Sequence, residues 1–283
     1  MLSSLLITLR EGLEAALIIG IVLAYLAQTG NRRAFRPVWL GTGLAVIASL
    51  IAGAAVYFTA GELTAPGEQI FEGVATLTAA GILTWMIFWM RRQAINIKGQ
   101  LQAEIRSALG SGSSWGLVGL AFVAVAREGI ETVLFLFAAT RVAESAILST
   151  SGGLIGLAVA IAIGYTIYKG TSRLNLRTFF NITSILLIFF AAGLLAHSIH
   201  EFQEIGFVPT VVEHVWDTSR VLSEESILGR FLTALFGYNA NPSAVEVIVY
   251  LGYLGITLLS YFRPSHPKKR EPVTAAETPL EAK

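Results

Sequence analysis

The chain contains no cysteine. This excludes disulfides, thiolate metal sites and dithiol redox chemistry, so any metal must be held by oxygen or imidazole and any electron transfer must come from a bound cofactor or another protein. Charge is also scarce. Only 14% of the 283 residues are Asp, Glu, Lys or Arg, against about a quarter in soluble domains, while 54% are apolar. With a mean hydropathy of +0.66, the chain reads as an integral membrane protein whose main solvent is lipid. The net charge of +1 singles out no partner, and nucleic acid is not expected. The first thirty or so residues lack the basic start of a signal peptide and carry Arg10, Glu11 and Glu14 among apolar residues, so they read as a retained span.

Apolar runs broken by charged or Gly/Pro-rich segments predict an all-α fold of about seven membrane helices, over 3–28, 37–60, 69–91, 115–139, 151–169, 178–203 and 244–262. Lys and Arg gather in alternate connections: Arg32, Arg33 and Arg36; Arg91, Arg92, Lys98 and Arg106; Lys169, Arg173 and Arg177; Arg263, Lys268, Lys269 and Arg270. By the positive-inside rule these face the cytoplasm, which puts the N-terminus out and the C-terminus in. Trp39, Trp89 and Trp115 fall at predicted cytoplasmic helix ends, as an interfacial aromatic belt requires.

The expected organisation is a transmembrane domain over 1–262 and a disordered cytoplasmic tail over 263–283. Within the domain lie repeat one (about 1–92), repeat two (about 115–204), an external amphipathic segment (209–241) and the last helix. Residues 93–110 read as a short cytoplasmic amphipathic helix before a Gly-Ser linker. In the external segment Ile227, Leu228, Phe231, Leu232, Leu235 and Phe236 form a helical stripe, with Ser223 as N-cap and Gly237 as stop. Such a stripe suits a helix lying on the outer membrane surface, or a partner's docking site.

Two near-identical blocks stand where charge is least welcome: Arg10-Glu11-Gly12-Leu13-Glu14 and Arg127-Glu128-Gly129-Ile130-Glu131. Each charged side chain at a bilayer centre costs roughly 2.5–3.5 kcal/mol, so six of them demand compensation. In each block the two glutamates share a helical face and the Arg precedes the second Glu by one turn, within pairing reach. Glu11, Glu14, Glu128 and Glu131 thus make a candidate cation site, with Arg10 and Arg127 balancing charge; hard cations prefer such all-oxygen surroundings. The alternative use of these residues is structural, each Arg reaching across to the other helix's Glu. The first block lies on a helix running inward and the second on one running outward. Helices one to three and four to six therefore read as inverted repeats, an architecture that places a substrate site near midplane.

The sixth predicted helix ends in His197, His200, Glu201 and Glu204, all on one face with metal-ligand spacing. With Glu72 they form a possible accessory metal site, an outer capture point feeding the central carboxylates. Glu246 reads as structural or solvated.

The paired blocks are similar to the Arg-Glu-x-x-Glu signatures of the oxidase-dependent iron permease family. Phe71-Glu72-Gly73, the helix end from Trp85 to Arg91, His200-Glu201-Phe202-Gln203-Glu204 and Phe236-Gly237-Tyr238-Asn239 resemble its bacterial branch. That resemblance implies high-affinity iron uptake across the cytoplasmic (inner) membrane, with iron as transported substrate and no permanently bound cofactor. It further implies an extracytoplasmic oxidase or peroxidase and an iron-binding protein as partners. The family's signature glutamates carry over to Glu11, Glu14, Glu128 and Glu131, its arginines to Arg10 and Arg127. Protonation of these carboxylates would compete with the metal, so proton entry is a candidate device for releasing iron inside. The same glutamates would also serve another divalent-metal/proton transporter. A membrane di-iron oxidase needs Glu-x-x-His pairs, which are absent.

Overall fold

In the computed structural model, described over residues 1–61, 64–93, 97–110, 114–142, 146–168 and 175–263, every regular element is helical. They run α1 (Leu2–Gln28), α2 (Phe35–Gly61), α3 (Gly67–Gln93), α4 (Ile97–Gly110), α5 (Ser114–Val142), α6 (Ala146–Tyr168), α7 (Leu176–Glu204), α8 (Ile227–Phe236) and α9 (Ala244–Phe262). Each predicted apolar helix is present within a few residues of its expected limits. The predicted tail from residue 264 onward and the Gly-Ser linker at 111–113 lie outside the described residues.

Five of these helices, α2, α3, α6, α7 and α9, are long and apolar enough to cross a membrane. Their outward faces stay apolar: Leu50 and Ile51 on α2, Ile161 on α6, Ile248 and Ile256 on α9 are all exposed. Only a lipid solvent makes such faces inexpensive. α1 and α5 match them in length, and theirs are the helices that carry the charged blocks.

Helix ends follow local chemistry. Asn175 caps α7 by accepting from the Thr178 amide. Ser243 and Glu246 form a reciprocal capping box at the start of α9. At α8 the expected Ser223 cap is corrected to Ser226, whose hydroxyl accepts from the Gly229 amide. The Ser223 carbonyl instead receives the Ser226 hydroxyl. Gly237, at φ 63°, does end α8. The C-terminal half of the α8 stripe folds onto α7: Leu235 is buried, Phe236 sets its ring against Phe189, and Gly237 sits on Gly193.

Packing exchanges the halves of the chain. α1 lies along α6, α5 along α2, and α3 along α7, whereas α1 scarcely touches its sequence neighbour α2. Small residues allow the close approaches. A Cβ on Gly12 would stand 2.8 Å from the Ala160 methyl, and one on Gly129 would collide with Ser49. The same correspondence recurs along both interfaces. Gly41 meets the Val118 carbonyl as Gly152 meets that of Met1, and Gly53 meets Val133 as Gly164 meets Ala16. One fixed displacement from α1 to α5, and another from α2 to α6, carries each contact onto its counterpart. Where α3 and α7 meet, Ala79, Ala80, Leu83, Ala191 and Leu194 close a core with Phe135 and Ala138 of α5.

Gly12→Ala is expected to lower the melting temperature of the detergent-solubilised protein, since overpacking of this kind costs about 1–3 kcal/mol. Adding Ala160→Gly should restore most of the loss; failure of that rescue in a thermal melt would show that the Gly12 contact is not what holds α1 to α6.

Candidate metal site

α1 and α5 run against each other, and their i, i+3 spacing turns the block glutamates toward a common space. Glu11, Glu128 and Glu131 each bring one carboxylate oxygen to within 4.8 Å of the other two. All three residues are buried, Glu11 almost completely. At an effective dielectric of about 20, two ionised carboxylates no more than 4.8 Å apart repel by about 3.5 kcal/mol or more, and three such pairs make the cluster costly unless a cation or protons enter.

The arginines do not cancel this repulsion. Arg10, fully buried, pairs with Glu14 on its own helix at 3.2 Å and stays 4.0 Å from Glu11. Arg127 Nε donates to Glu131 Oε1 at 2.9 Å. Both arginines thus pair within their own helix, so cross-helix locking by Arg–Glu pairs is not how α1 and α5 are joined. Both tips reach α3. Arg10 Nη2 lies 2.7 Å from the Met90 sulfur, and the Arg127 guanidinium stacks 4.3 Å from the Trp89 ring centroid. Buried without hydrogen-bond partners are both oxygens of Glu11, Oε2 of Glu128 and Oε2 of Glu131, together with Glu14 Oε1 and the Nε and Nη1 of Arg10. Unsatisfied acceptors converging on one point are a donor set for a hard cation. Glu14 is not part of this triad; it stands beside it in the pair with Arg10.

A second constellation forms where α3 meets the end of α7. Glu72, His197 and Glu201 bring one ligand atom each within 4.8 Å of one another. His200 and Glu204, predicted with them, turn elsewhere: His200 Nδ1 faces Glu246 Oε1 at 3.2 Å and Nε2 faces Glu204 at 3.4 Å. Glu246 also accepts from the Asn239 side chain at 2.9 Å, so its role on α9 is structural. The spacing of charges did not reveal Arg141, which ion-pairs with Glu72 and stands 3.5 Å from Glu68. Its position at the end of α5 was the available signal. Nor did spacing reveal Met90 and Trp89 as the arginines' neighbours.

A profile of the Iron permease FTR1 family matches residues 1–264. The chain belongs to that family. Among relatives, the ferrous iron permease EfeU of Escherichia coli O157:H7 is 42% identical over 261 residues, 92% of this chain and 94% of the relative. The protein of the same name from Yersinia pestis is 40% identical over 273 residues, 96% of each chain. No solved structure matches the chain. These relatives are named as permeases, transporters and not enzymes, and this FTR1-family member is an integral membrane protein.

If the triad is held together against its own repulsion, Glu11→Gln should stabilise the metal-free permease at mildly alkaline pH, raising its melting temperature by about 2–4 °C per kcal/mol relieved. An unchanged or lower melting temperature would mean that the carboxylates do not repel as their separation implies.

Proposed function

We propose that this permease takes up iron by passing it through the carboxylates of Glu11, Glu128 and Glu131, with Glu14, Arg10 and Arg127 setting the charge around them. The observation that carries the reading is the convergence of buried carboxylate oxygens that have no hydrogen-bond partner, in a chain whose relatives are named for ferrous iron. Four carboxylates, counting Glu14, against two nearby arginines leave a site whose excess negative charge attracts a cation.

Iron is supplied after oxidation outside by an oxidase or peroxidase partner, since ferric ion is the harder acid and prefers all-oxygen ligands. Seven helices cross the inner membrane, N-terminus out and C-terminus in, as the alternation of basic connections favours. Residues 1–92 and 115–204 form two inverted three-helix repeats, followed by the last helix. The paired glycine contacts of α1 with α6 and of α5 with α2 support that relation. Protons compete with iron for the same oxygens and promote its release inside.

Radiolabelled iron uptake by cells, at equal membrane expression, tests the reading. Glu11→Gln and Glu131→Gln should each reduce uptake by about tenfold or more, because even groups that only orient a metal ligand cost about 10–100-fold when removed. Uptake at the wild-type rate in both variants would refute the role of the triad.

A further inference from the structure

The cluster at the end of α7 differs in chemistry from the triad between α1 and α5. Glu72, His197 and Glu201 offer one imidazole and two carboxylates, a mixed set that suits a borderline divalent transition ion better than a hard trivalent one. The backbone is built to hold them. Ser198 Oγ donates 2.8 Å to the Gly73 carbonyl, and the Phe202 ring lies directly over Gly73, so α7 is fixed against α3 one residue from His197 and one from Glu72. His197 and Glu201, one turn apart, then face Glu72 across the seam.

Two observations point to a missing ligand. His197 Nε2 is buried with no hydrogen-bond partner, although it stands 3.5 Å from Glu201 Oε1. Glu201 is only 8% exposed and turns its Oε1 toward that imidazole. A buried imidazole nitrogen and a buried carboxylate aimed at each other without a bond leave between them the place a metal ion would take.

Arg141 explains how such a site stays stable between ions. Its guanidinium pairs with Glu72, lies 3.5 Å from Glu68 and rests over the Phe137 ring, 5.1 Å from its centroid. A cation arriving at Glu72 competes with Arg141 for the same carboxylate, and Glu68 is positioned to keep the displaced guanidinium paired. The site is also separate from the triad. Along α5 from Glu131 to Arg141, at about 1.5 Å per residue, the two centres stand roughly 15 Å apart. Between them the buried side chains of Phe135, Ala138, Leu83 and Leu194 form an apolar layer.

We propose that Glu72, His197 and Glu201 form a distinct binding site for a divalent transition metal ion, with Arg141 as the resident counter-ion that yields Glu72 when the ion binds. The inference rests on the permease reading only for the identity of the cargo.

Purified permease carrying Glu11→Gln and Glu128→Gln, which disables the triad, is titrated with Co2+ and followed by calorimetry and visible absorption. One equivalent of Co2+ with a ligand-field band is expected. Adding His197→Gln should remove both binding and band while leaving the metal-free melting temperature in place, and adding Arg141→Gln should tighten binding several-fold. Absence of bound Co2+ in the triad-disabled protein, or unchanged binding after His197→Gln, would overturn the site. Wild-type iron uptake by Glu11→Gln with Co2+ binding intact would instead remove the triad's role and leave this site standing.

Discussion

Holding like charges together away from water is the constraint around which this molecule is arranged. Glu11, Glu128 and Glu131 repel one another when ionised, and their proximity is imposed from outside by the packing of α1 on α6 and α5 on α2. Glycine makes that imposition possible: the residue beside Glu11 and the residue beside Glu128 both lack a side chain, so each helix approaches its neighbour directly behind the carboxylates. The arginines relieve part of the strain and are themselves braced, one against a thioether and one against an indole, both supplied by α3. A site stabilised by its scaffold more than by its own contacts remains attractive to a passing cation, in keeping with the usual exchange of stability for function.

The two candidate metal-binding constellations divide the chemistry by donor type. The triad offers oxygen alone, whereas the cluster at the α7 end adds an imidazole. Next to the latter, His200, Glu246 and Asn239 link α7, α9 and the turn after α8 through a single carboxylate. That turn is also where α8 presses on Gly193 of α7. The short helix and the mixed-donor cluster are therefore mechanically joined by α7, with the Glu246 network closing the other side.

Much of the architecture was legible in the sequence because lipid enforces it. A segment that must bury every backbone amide internally becomes a helix of nearly fixed length, so the limits of α2, α3, α6, α7 and α9 could be read from apolar runs alone. Helical spacing likewise brought Glu128 and Glu131, and His197 and Glu201, to common faces. Contacts between distant segments were not legible. Nothing in spacing assigns Met90 to Arg10, Trp89 to Arg127 or Arg141 to Glu72, since each depends on which helices become neighbours. Glu14 looked equivalent to Glu131, and both pair with the arginine one turn before them, yet only Glu131 brings an oxygen to Glu11 and Glu128. Ser223 and Ser226 both suit a helix start, and the choice fell to the one whose hydroxyl reaches the Gly229 amide.

The exchange of partners between the two halves bears on how the chain is made. α1 finds its long interface only with α6, whose residues are synthesised after four further helices have emerged. Until then its charged block can reach only Met90 of α3 and the facing block of α5, without the long helix that backs α1. Biogenesis must therefore shelter the first segment beside the insertion machinery, or let it wait near the surface, until the second half arrives to clasp it. A chain ending before Ala146 would hold both helices of the candidate site and the α2 that backs α5, but not the α6 that backs α1.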